Sequence, residues 1–260
     1  MIKKIYISLI LKKIIRPIIT LFYQYSLPSK YHNTKNYDED FYPVEIFKKE
    51  QSIKSYNHFK KYFSEAILIN DKLGTLISRE RSSEKIREFS IKKSLLNDIN
   101  SEKLYLEFGV YKGKSINFLS NFLNTKIYGF DSFEGLREDW MGSKNSAGSM
   151  NLDGDLPKVN SNVEIIKGDV EDTLNDFLNN NKNKKIIFMH MDLDVYSSTK
   201  FVLQKVKPYL DKKCVILFDE LYNHPGWEHG EYKALTEVFN ENEYRYLAFT
   251  NFEKVAIQIN

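Results

Sequence analysis

The sequence predicts an α/β protein: a doubly wound, mostly parallel sheet of seven strands, closed by an antiparallel hairpin. Three observations carry this. From residue 103 onward, short runs rich in β-branched and aromatic residues alternate with longer helical runs, the pattern of strand–helix–strand units. Glycines or acidic residues stand at the end of the predicted strands, where such sheets bind ligands. At the C-terminus, "YRYLAFT" and "EKVAIQI" are separated only by Asn251-Phe252, which reads as a hairpin.

The elements follow in order. "KLYLEFGV" is a strand and "KSINFLSNFLN" the helix after it. "KIYGFDSF" and "VEIIKGD" are the second and third strands, and "VEDTLNDFLNN" is a helix. "KKIIFMHMD" is a strand, "STKFVLQKVKPYL" a helix, "CVILFDE" a strand and "GEYKALTEVFNEN" a helix. Between strands two and three lies a long polar stretch, 137–162, rich in Gly and Ser. A loop of that length inside a domain reads as a lid or as disorder.

Upstream, residues 44–100 show helical spacing and much charge, punctuated by Gly74 and "SRERSSEK". Residues 1–43 read as a basic, apolar arm and linker, and 44–260 as one domain, with helices over 44–100 and the α/β core over 101–260. Lys12, Lys13, Arg16 and Pro17 break the arm before it reaches the ~18–20 apolar residues of a spanning helix. Two readings remain: an arm packed on the domain or a second subunit, and an amphipathic segment (1–30) lying on an anionic membrane surface. A homodimer is expected.

Hydrophobic residues make up 42% and charged residues 28% of the 260, which suits a globular domain. A net charge of +3 is too small to argue for nucleic acid, and no basic stripe interleaves with aromatics in the core region. The single cysteine, Cys214, lies in an apolar run; it excludes an internal disulfide and fits a reducing, cytoplasmic setting.

The chemistry collects at the predicted strand ends. "EFGVYKGKS" places Gly109 and Gly113 where the chain turns from strand to helix near Lys114–Ser115. The turn lets the backbone approach a ligand, although G-x-x-x-G alone is a weak signal. Asp131, followed by Ser132, ends the second strand, where a carboxylate can accept both ribose hydroxyls of a nucleoside. Asp169 ends the third and suits an adenine amino group, with Val170 packing on the ring; Asp172 or Thr173 suits a helix cap. In "MHMDLDVYSSTK", His190, Asp192 and Asp194 alternate, which places all three on one face of a strand. Asp219 and Glu220 end the fifth strand. Four carboxylates meeting there repel one another, and a hard divalent cation such as Mg²⁺ would relieve them. His190 is read as deeper and structural. After Glu220, the loop with His224, Trp227, His229 and Glu231 suits a polyhydroxylated acceptor, although either histidine alone reads as a surface residue.

Together, "LEFGVYKGKS", "GFDSFEGL", "KGDVEDTL", "MHMDLDVYSSTK" and "FDELYNHPGWEHGEYKA" resemble the macrocin O-methyltransferase family over about 104–240. Those are class I S-adenosylmethionine-dependent enzymes of Rossmann-like fold that methylate sugar hydroxyls. The resemblance implies S-adenosylmethionine bound by the Gly109–Gly113 turn with Glu107, Ser115, Asp131, Ser132, Asp169 and Val170. It implies Mg²⁺ held by Asp192, Asp219 and Glu220, with Asp194 as general base. Where family members often carry Asp-Asp, this chain has Asp219-Glu220. The acceptor class implied is a glycan, nucleotide sugar or glycosylated metabolite, as in polysaccharide biosynthesis. Two other readings stand beside it: a metal-dependent glycosyltransferase using the D-x-D of Asp192 and Asp194, and a non-catalytic nucleotide-binding module. The missing G-x-G-x-x-G argues against an NAD-dependent oxidoreductase.

Overall fold

Two helices precede the sheet in the computed structural model, which describes residues 46–69, 76–97 and 102–260. The arm and linker read over 1–43 lie outside the described residues. The first helix, α1, spans Ile46–Phe59, and the second, α2, spans Leu76–Leu95. Between them a two-residue strand, β1 (Ile67–Leu68), stands in a stretch read from sequence as helical.

The core then runs β2 (Lys103–Phe108), α3 (Lys114–Ser120), β3 (Ile127–Asp131), β4 (Val163–Lys167), α4 (Val170–Asn180) and β5 (Lys185–Met191). It continues with α5 (Tyr196–Val206), β6 (Leu210–Phe218), α6 (Glu231–Val238), β7 (Tyr244–Phe249) and β8 (Val255–Ile259). The sheet has eight strands in the order β1-β7-β8-β6-β5-β2-β3-β4. The eighth strand is β1, which extends the predicted seven by pairing parallel with β7. β8 runs antiparallel to both β6 and β7, so the C-terminal hairpin closes the sheet as expected. The strand order reverses beside β2, between β3 and β5, and this is where an open α/β sheet leaves a crevice.

Helices cover both faces, which explains why the central strands read as near-continuous apolar runs. On β6, Cys214, Ile216 and Phe218 face one core, while Val215 and Leu217 face the other. The first core holds α1, α4, α5 and α6 through residues such as Phe59, Leu174, Val202 and Leu235. The second holds α2 and α3 through Ile86, Ile91, Ile116 and Leu119. α2 shows little apolar periodicity because much of its buried face is serine: Ser83, Ser90 and Ser94 recur at helical spacing beside Ile86 and Ile91. Small side chains let this helix sit close to β5 and β6, and two of them close hydrogen bonds within the helix, Ser83 Oγ to the Arg79 carbonyl and Ser94 Oγ to the Ile91 carbonyl.

α1 and the turn after it dock through aromatic rings. Phe63 is fully buried, stacks on Phe249 at 4.0 Å and meets Tyr222 edge-on at 5.2 Å. Among the described residues, no helix is long and apolar enough to cross a membrane.

Phe63→Ala should lower stability by about 3–5 kcal/mol, since a fully buried ring leaves a cavity behind it. Exposed Lys60→Ala should stay within about 0.5 kcal/mol. Urea unfolding of the two variants checks both values.

Candidate active site

A cavity of about 370 Å³ opens beyond the carboxyl ends of β2 to β6, within the size range of small-molecule sites. Gly109, Ser115, Asp131, Ser132, Asp169, Val170, Asp192, Asp194, Asp219 and Glu220 all line it. Glu107 and Gly113 do not. An added Cβ at Gly113 would face Pro157 and Val159 at 3.4 Å, in the loop before β4. Glu107 is fully buried beneath the turn, where Ser115 Oγ donates to its Oε1 at 2.7 Å.

Gly109 has φ +87°, a conformation open to glycine at little cost. A Cβ placed there would stand 1.7 Å from the Asp192 backbone carbonyl oxygen. The turn therefore packs backbone on backbone between β2 and β5, and the Asp192 amide donates to the Phe108 carbonyl at 2.8 Å.

Asp131 stabilises the same turn. Its Oδ2 accepts the amides of Val110 and Tyr111 at 2.8 and 2.7 Å, and its Oδ1 accepts that of Phe133 at 2.7 Å. Three of a carboxylate's roughly four acceptor positions are thus engaged by the chain itself. That leaves less room for two ribose hydroxyls than the strand-end position alone suggests. Asp169 holds the N-cap position of α4 with no side-chain cap bond, and its backbone carbonyl accepts the amides of Asp172 and Thr173. Neither Asp172 nor Thr173 is the cap.

The acids of β5 and β6 separate into two sets. The inner set is a chain of buried ion pairs. His190 is fully buried, with Nδ1 3.2 Å from Glu107 Oε2 and Nε2 3.0 Å from Asp219 Oδ1. Burial opposes its charge, but the bonds to Asp219 and Glu107 prevail and raise its pKa to about 9, so the imidazolium donates to both. Arg87 Nη2 donates to Asp219 Oδ1 at 3.0 Å, and Lys254 Nζ donates to Asp219 Oδ2. Burial alone would raise the Asp219 pKa; Lys254, Arg87 and His190 override it and hold the carboxyl well below the usual range.

The outer set has no such partners. One potential ligand atom each from Asp192, Asp194 and Glu220 lies within 4.8 Å of the others, and Glu220 Oε2 is buried with no partner. Burial first, and then neighbouring Asp219, raises Asp192 to about 7. Burial, Asp192 and Asp219 raise Asp194 to about 8, and Glu220 is pushed well above its ordinary value. The converging trio therefore includes Asp194, where Asp219 had been expected. Asp219 stands close behind, in a second group with His190 and Asp192, but both of its oxygens are taken.

His190, Asp192 and Asp194 do not share one strand face, as their alternation predicts. β5 ends at Met191, so only His190 points from the strand itself. Asp194 lies past the strand with φ +62°, a strained geometry for a non-glycine residue, and this turn returns its carboxyl to the rim.

The segment 132–162 is folded over the cavity. Leu136 and Ser149 pair through an amide–carbonyl bond of 2.8 Å, and Asn160 and Asn162 tie its far end to the C-terminus of α3. Leu136, Arg137, Trp140 and Met150 line the cavity from above. At Gly142, φ +80°, an added Cβ would stand 1.7 Å from the Pro225 carbonyl oxygen, so this loop and the loop after β6 touch backbone to backbone.

A second cavity of about 250 Å³ lies between those two loops and shares Asp194 and Glu220 with the first. Trp140, His224, His229 and Glu231 line it. Trp227 does not; it is 2% exposed, packs on Phe59 and belongs to the core, so the aromatic wall comes from Trp140 instead. His229 is exposed and His224 partly buried. Arg87, Lys254 and Trp140 are not singled out by any sequence pattern. The first two have no motif to mark them, because their partner acids lie far along the chain.

Residues 106–221 match the model of a family described as a methyltransferase domain. Among solved structures, the calicheamicin methyltransferase CalS11 is 19% identical with a TM-score of 0.55, covering 86% of this chain and 97% of its own. An apo structure of CalS11, described as a TDP-rhamnose 3′-O-methyltransferase, is 23% identical with a TM-score of 0.52, covering 69% and 80%. These likenesses establish the class I methyltransferase fold. Comparison with curated proteins gives no match. With that match on this fold, the chain is an enzyme that takes its methyl group from S-adenosylmethionine.

Gly109→Ala should abolish measurable cofactor binding, a loss of more than about 100-fold, since the added carbon meets rigid backbone on top of an αL cost of ~1–2 kcal/mol. Gly148→Ala, where φ is +81° but nothing lies within 4 Å, should cost only about 1–2 kcal/mol. Calorimetric titration with S-adenosylhomocysteine, paired with thermal unfolding, separates the two.

Proposed function

We propose that the enzyme methylates a sugar hydroxyl with the help of a divalent cation, as a relative of the macrocin O-methyltransferases. The observation that carries this reading is the outer acid trio standing at the seam of two cavities. The first cavity has the nucleoside-facing acids and the glycine turn; the second is lined by Trp140 and polar side chains, a fitting surface for a polyol.

The residues fit both groups. The glycine turn at Gly109 lines the first cavity with main chain, where a donor can approach the backbone closely. An all-oxygen trio with an unpartnered buried oxygen suits a hard cation such as Mg²⁺. Asp192 and Glu220 would hold the ion, with Asp219 fixed behind them. When bound, S-adenosylmethionine supplies an electrophilic methyl group, and a divalent ion lowers the proton affinity of hydroxyls near it. Asp194 faces both cavities, and its carboxylate takes the acceptor hydroxyl's proton. Trp140 and the 132–162 segment exclude water from the seam and hold the acceptor against it. CalS11 is described as acting on TDP-rhamnose, which makes deoxysugar nucleotides reasonable first acceptors to try. The domain match favours methyl transfer over glycosyl transfer by the D-x-D.

Formation of S-adenosylhomocysteine should depend on both a sugar acceptor and a divalent ion; turnover that survives full chelation would remove the ion from the reading. Asp194→Asn should lower kcat by about 10²–10⁴-fold while S-adenosylhomocysteine affinity stays within about threefold.

The pH response has a definite sign. Carboxyls whose pKa is raised on folding favour the folded state below the ordinary carboxyl range, and that contribution is lost as pH climbs through about 7 and 8. A cation replaces the lost protons. The Mg²⁺-induced rise in melting temperature should therefore be small at about pH 5.5 and grow toward pH 8.5; a rise independent of pH would place the ion elsewhere.

A further inference from the structure

We propose that Arg87, on α2, anchors the carboxylate of the methyl donor's amino-acid moiety. The inference rests on the S-adenosylmethionine reading and adds a residue outside the matched 106–221 segment.

Three observations converge. The first is position. The acids suited to a nucleoside stand at the ends of β3 and β4, Asp131 and Asp169. The sheet order then places the amino-acid half of the donor toward β2 and β5. Arg87 lines the cavity at that end, bonded to Asp219 and electrostatically coupled to Asp192 and Glu107.

The second is an unmet donor. The Arg87 side chain is 14% exposed, and Nη2 gives its bond to Asp219. Its Nε is buried with no acceptor. A guanidinium offers two edges, each shaped to meet a carboxylate through paired N–H groups. Asp219 engages only Nη2, so the guanidinium keeps N–H groups, Nε among them, that no protein acceptor meets.

The third is charge. The donor's sulfonium and ammonium are drawn to a rim of acids, but its carboxylate is repelled by Asp192, Asp219 and Glu220 unless a cation meets it. The other basic residues of the cavity are exposed or engaged. Lys114 pairs with Glu80, Arg137 pairs with Glu171 at 2.5 Å, and Lys112 lies over the Tyr111 ring at 5.0 Å on the exposed rim. Arg87 is the buried cation at the required end.

The test is a double cycle on the full chain, read by calorimetry. The probes are S-adenosylhomocysteine and S-adenosyl-3-thiopropylamine, which differ only in the carboxylate; the proteins are wild type and Arg87→Gln. Wild type should prefer the carboxylate-bearing ligand by roughly 10–100-fold, the range of a charge-assisted pair. In Arg87→Gln the preference should shrink to about threefold or less, through loss of S-adenosylhomocysteine affinity alone. An unchanged preference in the variant, or equal losses for both ligands, overturns the assignment. If Arg87→Gln does not fold, Arg87→Lys takes its place and should keep a reduced preference; an undiminished one overturns the assignment. Wild type that binds neither ligand overturns the donor reading itself, and the inference with it.

Discussion

The neutralisation of Asp219 is the constraint on which the rim of the sheet depends. Asp219 is buried among acids: Glu107 beneath it, Asp192, Asp194 and Glu220 around it, and Glu231 nearby. Like charges this close in a poorly solvated place cannot all ionise unless cations stand among them. The chain supplies three, each from a different element: Arg87 from α2, His190 from β5 and Lys254 from the hairpin at the start of β8. All three bond to the Asp219 carboxylate. A buried pair is weak evidence of net stabilisation, but removing one partner leaves a charge with no compensation, typically at several kcal/mol. The helix before the core and the hairpin after it are thereby tied to the same carboxylate, which makes the site a product of the whole described domain.

This division of labour separates what is structural from what is reactive. The inner chain, Ser115–Glu107–His190–Asp219–Lys254, has an acceptor for each donor and holds its members in one arrangement. Asp192, Asp194 and Glu220 are left with raised pKa values, a strained turn and a buried oxygen that has no partner. Features of that kind collect where a ligand is to complete the structure. The inner ion pairs serve as the rigid base that keeps the outer acids facing one another despite their repulsion.

Much of this is legible in the sequence, and what is not has physical causes. Strand ends are readable because β-branched runs stop at Gly109, Asp131, Asp169, Asp192 and Asp219, and the fold brings those residues to one cavity. His190 is readable as structural because it precedes the strand's end. Arg87 is not, since the buried face of α2 is largely serine and carries no hydrophobic period. Lys254 lies in a hairpin turn whose closeness to Asp219 follows only from the antiparallel insertion of β8 between β6 and β7. Strand periodicity misplaces Asp194, because alternation ceases to apply once the chain leaves β5. Trp227 is misleading by its company: polar, glycine-bearing neighbours suggest a surface loop, while its ring fills the core beside Phe59.

Glu220 shows how a long acid is held at such a rim. Its main chain is fixed on both sides: the amide donates to Glu231 Oε2 at 3.0 Å, and His224 Nε2 meets its carbonyl at 2.9 Å. A side chain rooted this firmly spends its extra methylene on reach rather than on freedom. Its carboxyl converges with those of Asp192 and Asp194 from the end of the neighbouring strand, within 4.8 Å of one another. Had residue 220 carried the shorter acid on the same rooted backbone, the converging set would draw more on Asp219, which here is committed to Arg87, His190 and Lys254. Glu220 and the inner cations form one arrangement: Asp219 bonds Arg87, His190 and Lys254, while Glu220 converges with Asp192 and Asp194.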